Sequence, residues 1–185
     1  MIPFGQDEGV KIDQAHADLM RGLIVSHKPK TILELGVGGG QGTDAMLNGL
    51  EYNSQEFDYT LVDNWNDFGF AEPEAVRAKY GDRITIVTSG EREYVFGCNK
   101  TFDFIMSDAD HHHTDQWFEY VYSELLNPGG ILVYHDVNIV DNEFINLRDI
   151  YYKCQALGLS HKLFNANSLP TERCQRGLLV IFKHE

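Results

Sequence analysis

Between residues 31 and 42 the chain reads TILELGVGGGQG. Thr31, Ile32, Leu33 and Leu35 form a run of apolar or β-branched residues. Gly36, Gly38, Gly39, Gly40 and Gly42 follow it, and Glu34 stands just before the first glycine. TDAML, next along, reads as the first turns of a helix. A buried strand, a glycine turn and a helix N-terminus make a cradle for a ligand, because glycine lets backbone N–H groups approach a bound group closely. Further on, Asp63, Ser89, Asp108 and Asp136 each follow a short apolar run. Polar residues at the carboxyl ends of parallel strands belong to one site.

The identity of that ligand follows from what the turn lacks. A phosphate-binding loop ends in Gly-Lys-Ser/Thr, and no lysine follows these glycines. The dinucleotide pattern G-x-G-x-x-G, counted from Gly36, needs glycine where Gln41 stands; counted from Gly38, it needs glycine where Thr43 stands. What remains is E-x-G-x-G-x-G from Glu34 to Gly40. A carboxylate repels a pyrophosphate but attracts an ammonium or sulfonium group. Asp63, at the next strand end, can accept hydrogen bonds from two ribose hydroxyls. The cradle therefore suits a nucleoside with a cationic tail.

A second set of residues could handle protons or a cation. Asp108 and Asp136, at neighbouring strand ends, could jointly hold Mg²⁺ or another divalent cation and lower the pKa of a coordinated hydroxyl, with Asn138 as a third oxygen ligand. His111, His112 and His113 are adjacent and so point in different directions. His111, three residues from Asp108, is the one expected to line a site, and the other two are expected in a solvated loop. His135, beside Asp136, is a candidate general base, its ordinary pKa of about 6.5 suiting the task. Trp65 and Phe68 follow Asp63, where an aromatic could cover a flat ring.

These residues need elements to position them. Residues 12–27 have helical apolar spacing. Strands are expected at 59–63, 83–87, 102–106 and 131–135, with helices over 43–50, 73–80 and 141–157 and one capped by Thr114. Trp117, Phe118, Val121, Tyr122, Leu125 and Leu126 form the core face of that last helix. Two closing strands are expected at 161–166 and 177–183, joined by a polar loop with Pro170. Strand and helix alternate, and the strands are continuous apolar runs, as in strands covered on both faces. The expected class is α/β: a doubly wound, Rossmann-like, mostly parallel sheet in a single domain over residues 1–185.

Composition narrows the function. With 43% apolar and 23% charged residues, the chain is of ordinary globular type. Fifteen basic residues against 28 acidic leave −13 at pH 7, a surface that disfavours nucleic acid as a partner. No apolar run approaches a membrane span, and the first residues lack an export pattern. Cys98, Cys154 and Cys174 are scattered and odd in number, which suits a reducing cytoplasm and not a disulfide framework.

Taken together, these motifs resemble the class I S-adenosylmethionine-dependent methyltransferases over nearly the whole chain. ILELGVGGGQG looks like their first motif, LVDNW like their ribose-binding acid, and FDFIMSDADH with LNPGGILVYHDV like their fourth and fifth strand motifs. Within the class, SDADH and GGILVYHDV look most like the small O-methyltransferase branch, the methyltransferase family 24 and catechol O-methyltransferase-like type, some of which use a divalent metal. The resemblance implies a seven-stranded sheet with an antiparallel C-terminal strand. It implies Gly36, Gly38 and Gly40 along the cofactor backbone, Asp63 on the ribose, Ser89 and Gly90 near the adenine, and Asp108 beside the methionine end or a metal. Glu34, Gly42 and Asn64 are further candidate cofactor contacts, and Asp108, His111 and His135 are the candidate catalytic residues. Two positions depart from the catechol-type pattern: Gly42 stands in place of a frequent serine, and Asp136-Val137 in place of Asp-Asn. The implied acceptor is a small-molecule hydroxyl, sugar or phenol-like. A non-catalytic, nucleoside-binding partner subunit is the alternative. A homodimer through an exposed edge is an assembly open to such a short domain.

Overall fold

The computed structural model describes residues 14–66, 73–140, 145–164 and 177–184. Phe68, Cys174, the Pro170 loop and the expected helix start at 141–144 lie outside the described residues. The chain forms two compact units, Met1–Glu91 and Arg92–Glu185.

In the first unit, α1 (Gln14–His27), β1 (Thr31–Leu35), α2 (Gln41–Asn53), β2 (Asp58–Asp63), α3 (Pro73–Tyr80) and β3 (Thr85–Thr88) alternate. The strands are parallel in the order β3-β2-β1. Ile32, Leu33, Leu35, Leu61 and Val62 are buried almost completely, which is why these strands read as unbroken apolar runs. The helix expected to stop near Gly49 instead runs through it to Asn53. A Cβ on Gly49 would lie 2.8 Å from Ile24 Cγ2 and 3.1 Å from the Arg21 carbonyl. This glycine lets α2 pack closely on α1. The helix ends at Ser54, in the left-handed region at φ 52, where the Ser54 N–H returns to the Glu51 carbonyl.

α4 (Glu91–Gly97) begins at the last residue of the first unit, and the second unit goes on with β4 (Phe102–Ser107), α5 (Phe118–Tyr120), β5 (Leu126–Val137), α6 (Ile145–Ala156), β6 (Ser160–Phe164) and β7 (Gly177–Phe182). Its strand order is β4-β5-β7-β6, with β4 parallel to β5 and β7 antiparallel to both neighbours. Trp117, Phe118, Val121 and Leu125 are buried as their spacing predicts, whereas Tyr122 is half-buried. Thr114 does not cap the helix. It opens a separate single turn, Thr114–Gln116, and its hydroxyl donates to the Asp110 carbonyl. Beyond Tyr120, α5 widens into a π-helical turn, Val121–Leu125. Lys183 Nζ caps that end by donating to the carbonyls of Tyr122, Ser123 and Leu126 at 2.8, 2.9 and 2.7 Å.

β5 begins at Leu126, five residues before the expected start at Ile131, and its pairing with β4 shifts register between Phe102 and Phe104. Gly130 permits this. A Cβ there would meet the Asn127 carbonyl at 2.8 Å and the Asp103 carbonyl at 3.1 Å. Among the described residues, no helix is long and apolar enough to cross a membrane.

Candidate active site

The cradle lies in the first unit. Gly36, Gly38 and Gly40 have φ values of 86, 50 and 79, conformations that glycine adopts without strain. They carry the backbone from the end of β1 into α2, whose N-cap is Gly40 and whose second residue is Gly42. Asp63, at the end of β2, is held on both sides. Its Oδ2 accepts the Val37 N–H at 2.8 Å and its Oδ1 accepts the Trp65 N–H at 2.7 Å. Each carboxylate oxygen has two lone pairs, so one on each remains to accept a ligand's donors. Trp65 adopts φ 62, unusual for a bulky residue, to make its bond. Asn64 Oδ1 accepts the Asn66 N–H at 2.9 Å. The Ser89 N–H reaches the Asp63 carbonyl at 3.1 Å, which sets Ser89 and Gly90 beside the same strand end.

Glu34 departs from expectation. It is 1% exposed, and its Oε2 accepts the hydroxyls of Thr43 at 2.8 Å and Tyr59 at 2.5 Å. A buried carboxylate needs such donors. Burial and the Glu34 charge in turn push the Tyr59 phenol well above its usual range. Glu34 therefore supports the cradle from inside, and direct contact with a cationic ligand tail is not what its position offers. Nothing in the spacing of Thr43 or Tyr59 marks them as its partners.

In the second unit, two acids and two histidines alternate. His111 Nε2 lies 3.3 Å from Asp108 Oδ1 and 3.4 Å from Asp136 Oδ2. His135 Nδ1 lies 3.3 Å from Asp108 Oδ1 and 3.2 Å from Asp136 Oδ1. His135 and Asp136 are sequence neighbours, which on a regular strand would face opposite sides. Here the β5–β7 register shifts between Tyr134 and Val137, and Asp136 takes φ 59, so both side chains reach the same cluster.

Burial pulls the His111 imidazole down, but hydrogen bonds to Asp108 and Asp136 and their charges push it up to about 10. His135 is likewise pulled down by burial and lifted by the Asp108 charge, the Asp108 hydrogen bond and Asp136 to about 9. Burial raises Asp108, and the His135 charge with hydrogen bonds from both histidines more than reverses this, holding the carboxyl below the usual carboxylate range. At neutral pH both imidazoles are thus charged, and His135 holds a proton where a general base would be empty. Of the three adjacent histidines only His111 enters the cluster; His112 and His113 are exposed. Asp110, which sequence reasoning passed over, accepts the N–H groups of His112 and His113 at 2.8 and 3.0 Å and so fixes the turn that delivers His111. Asn138 is 3% exposed, and its Oδ1 accepts the Val140 N–H at 2.9 Å.

A glycine cradle after a parallel strand, with an acid at the next strand end, is the arrangement that the resemblance to class I methyltransferases implies. The chain belongs to the family described as a methyltransferase domain, whose model matches residues 33–137. No curated protein matches the sequence. Among solved structures, the chain is similar to the O-methyltransferase from Bacillus cereus in complex with SAH, at 18% identity and a TM-score of 0.71, covering 94% of this chain and 83% of that one. It is similar to cofactor-bound Rv0187 from MTB, at 15% identity and a TM-score of 0.77, covering 98% and 85%. The O-methyltransferase TomG from Streptomyces achromogenes, involved in tomaymycin synthesis and solved with SAM, matches at 13% identity and a TM-score of 0.74, covering 95% and 82%. The fold is therefore the seven-stranded, mostly parallel methyltransferase sheet with antiparallel C-terminal strands.

Proposed function

We propose that this methyltransferase takes its methyl group from S-adenosylmethionine and delivers it to a hydroxyl of a small molecule, a sugar or a phenol-like ring. The observation that carries the reading is the Asp108–His111–His135–Asp136 cluster, because methyl transfer to a hydroxyl requires an acceptor for the departing proton and the carboxylates of Asp108 and Asp136 offer one. The cofactor half is supported by Asp63, whose pinned carboxylate keeps lone pairs for a ribose diol, and by the SAH and SAM bound in two of the similar structures.

Assistance by a divalent cation is part of this reading, and the residues present fit one. Asp108, His135 and Asp136 each offer a donor atom, and all three atoms lie within 4.8 Å of one another. When bound, such an ion supplies a positive charge that favours the deprotonated hydroxyl. The chain's own residues do the rest. The glycine turn and Asp63 hold and orient the nucleoside, while His111 holds its proton between the paired acids.

Calorimetric titration with S-adenosylhomocysteine tests the cofactor, and transfer of labelled methyl from S-adenosylmethionine to a panel of sugars and phenols tests the reaction. Binding with transfer is expected. Absence of binding at high micromolar concentration sinks the cofactor assignment. Binding without transfer to any hydroxyl, unaffected by substitution of Asp108 or His135, favours a non-catalytic partner subunit.

A further inference from the structure

The glycine turn is held at one end by the Asp63 carboxylate, which accepts the Val37 N–H. Its other end needs a holder as well. Gly40 is the N-cap of α2 and makes no side-chain cap bond, so nothing in the turn itself fixes that end. Glycine-rich backbone loses much freedom on ordering, and a loose turn would bind its ligand weakly. We propose that Tyr80 is a positioning residue for this turn, its buried phenol clamping Gly40 and the first turn of α2 in the shape that receives the nucleoside cofactor. The inference rests on the cofactor reading above, but the state of the turn is measurable without any ligand.

Tyr80 is the last residue of α3 and is 3% exposed. Its hydroxyl donates to Asp44 Oδ1 at 2.9 Å, with the Gly40 carbonyl a longer second acceptor at 3.4 Å. That carbonyl also takes the Asp44 N–H at 2.9 Å, and the Gly40 N–H closes the turn on the Val37 carbonyl at 2.8 Å. One phenol therefore reaches both the N-cap and the residue that starts the helical ladder. Lys79 Nζ donates to the other oxygen of Asp44 at 2.8 Å, but this pair is more than a third exposed and contributes little alone. Arg83 adds a second fastening, donating from Nε to the Tyr80 carbonyl at 2.9 Å and pairing its guanidinium with Glu51. Asp44 and Glu51 lie about two turns apart on one face of α2, so the end of α3 is strapped along that helix. Within α3 only Val76 and Tyr80 are buried, which leaves Tyr80 to dock its last turn. The Thr43 hydroxyl, bonded to the buried Glu34, stands beside the same phenol and ties the clamp to β1. Burial and the Asp44 charge push the phenol well above its usual range, so it remains a donor at any working pH.

Tyr80→Phe tests this, because it removes the hydroxyl and keeps the ring. Asp44 is 43% exposed, so water replaces its lost partner and the variant folds. In the full, ligand-free chain, amide exchange followed by NMR should be about tenfold faster at Gly40 and Asp44 and unchanged at Leu33 of β1. The dissociation constant of S-adenosylhomocysteine, read by calorimetry, should rise about fivefold as the competent turn becomes less populated. Tyr52→Phe, on the same helix but 70% exposed, should change neither. Unchanged exchange at Gly40 and Asp44 overturns the proposal. So does an unchanged dissociation constant, whatever the melting temperature, since the phenol would then serve packing alone. If the unmodified chain ignores S-adenosylhomocysteine while exchange responds as expected, the cofactor reading falls and the clamp on the turn stands.

Discussion

Asp63 shows how a single carboxylate becomes a recognition group. Two backbone N–H groups, from Val37 and Trp65, take one lone pair of each oxygen and fix the plane of the group. Its replacement by alanine removes both the anchor and the acceptor. We expect Asp63→Ala to weaken S-adenosylhomocysteine binding by about 1–3 kcal/mol, read by calorimetry. The histidines of the second unit make a different prediction. His111 and His135 have folded pKa values raised above the ordinary 6.5, to about 10 and about 9. Their contribution to stability is therefore complete below about pH 6.5 and is lost as pH rises through 9 to 10. Asp108 is depressed, so its contribution is present above about pH 4 and is lost as pH falls further. The metal-free chain should melt at its highest temperature between about pH 4 and 6.5 and progressively lower toward pH 10. His111→Ala should flatten that alkaline slope; an unchanged slope would remove His111 from the ion-pair cluster.

At the scale of elements, two glycines serve packing and pairing. Gly49 sits inside α2 because α1 crosses it at Ile24, and Gly130 lies inside β5, where the strand passes close to the Asp103 and Asn127 carbonyls. Gly49→Ala would gain about 1 kcal/mol of helix propensity, but overpacking against Ile24 costs about 1–3 kcal/mol. Net destabilisation is expected, with a melting temperature lower by a few degrees; a rise would show that α1 shifts freely. The apolar runs and the helical faces were legible because burial on one or both faces leaves a period in the sequence. The β5 bulge was not. Nothing in YHDV announces that His135 and Asp136 reach one cluster, since that depends on the register imposed by β7, about forty residues further along.

For the whole molecule, a ligand that binds only the folded chain must stabilise it. S-adenosylhomocysteine at a hundred times its dissociation constant should add about 2.7 kcal/mol, visible as a raised melting temperature, whereas NADH should add nothing. Cys154 gives a separate test of the core. It is fully buried, and burial pushes its thiol up to about 12. At pH 8 it should resist a thiol reagent in the native chain and react once denaturant is added, while half-buried Cys98 labels in both states. Reaction of Cys154 in the native chain would mean that the second unit opens readily.

The amino-acid order by itself determined the α/β class, the strand sequence, the position of the glycine cradle and the four strand-end residues. These are local properties, set by apolar periodicity, glycine's backbone freedom and the absence of a lysine or a further glycine at defined spacings. Tertiary structure alone decided that Glu34 turns inward to Thr43 and Tyr59, that Asp63 is pinned by Val37 and Trp65, and that His111 and His135 are held charged between Asp108 and Asp136. Those outcomes depend on side chains brought together from separate strands and loops, where burial and neighbouring charge set protonation. The sequence positions of these residues carry no record of either.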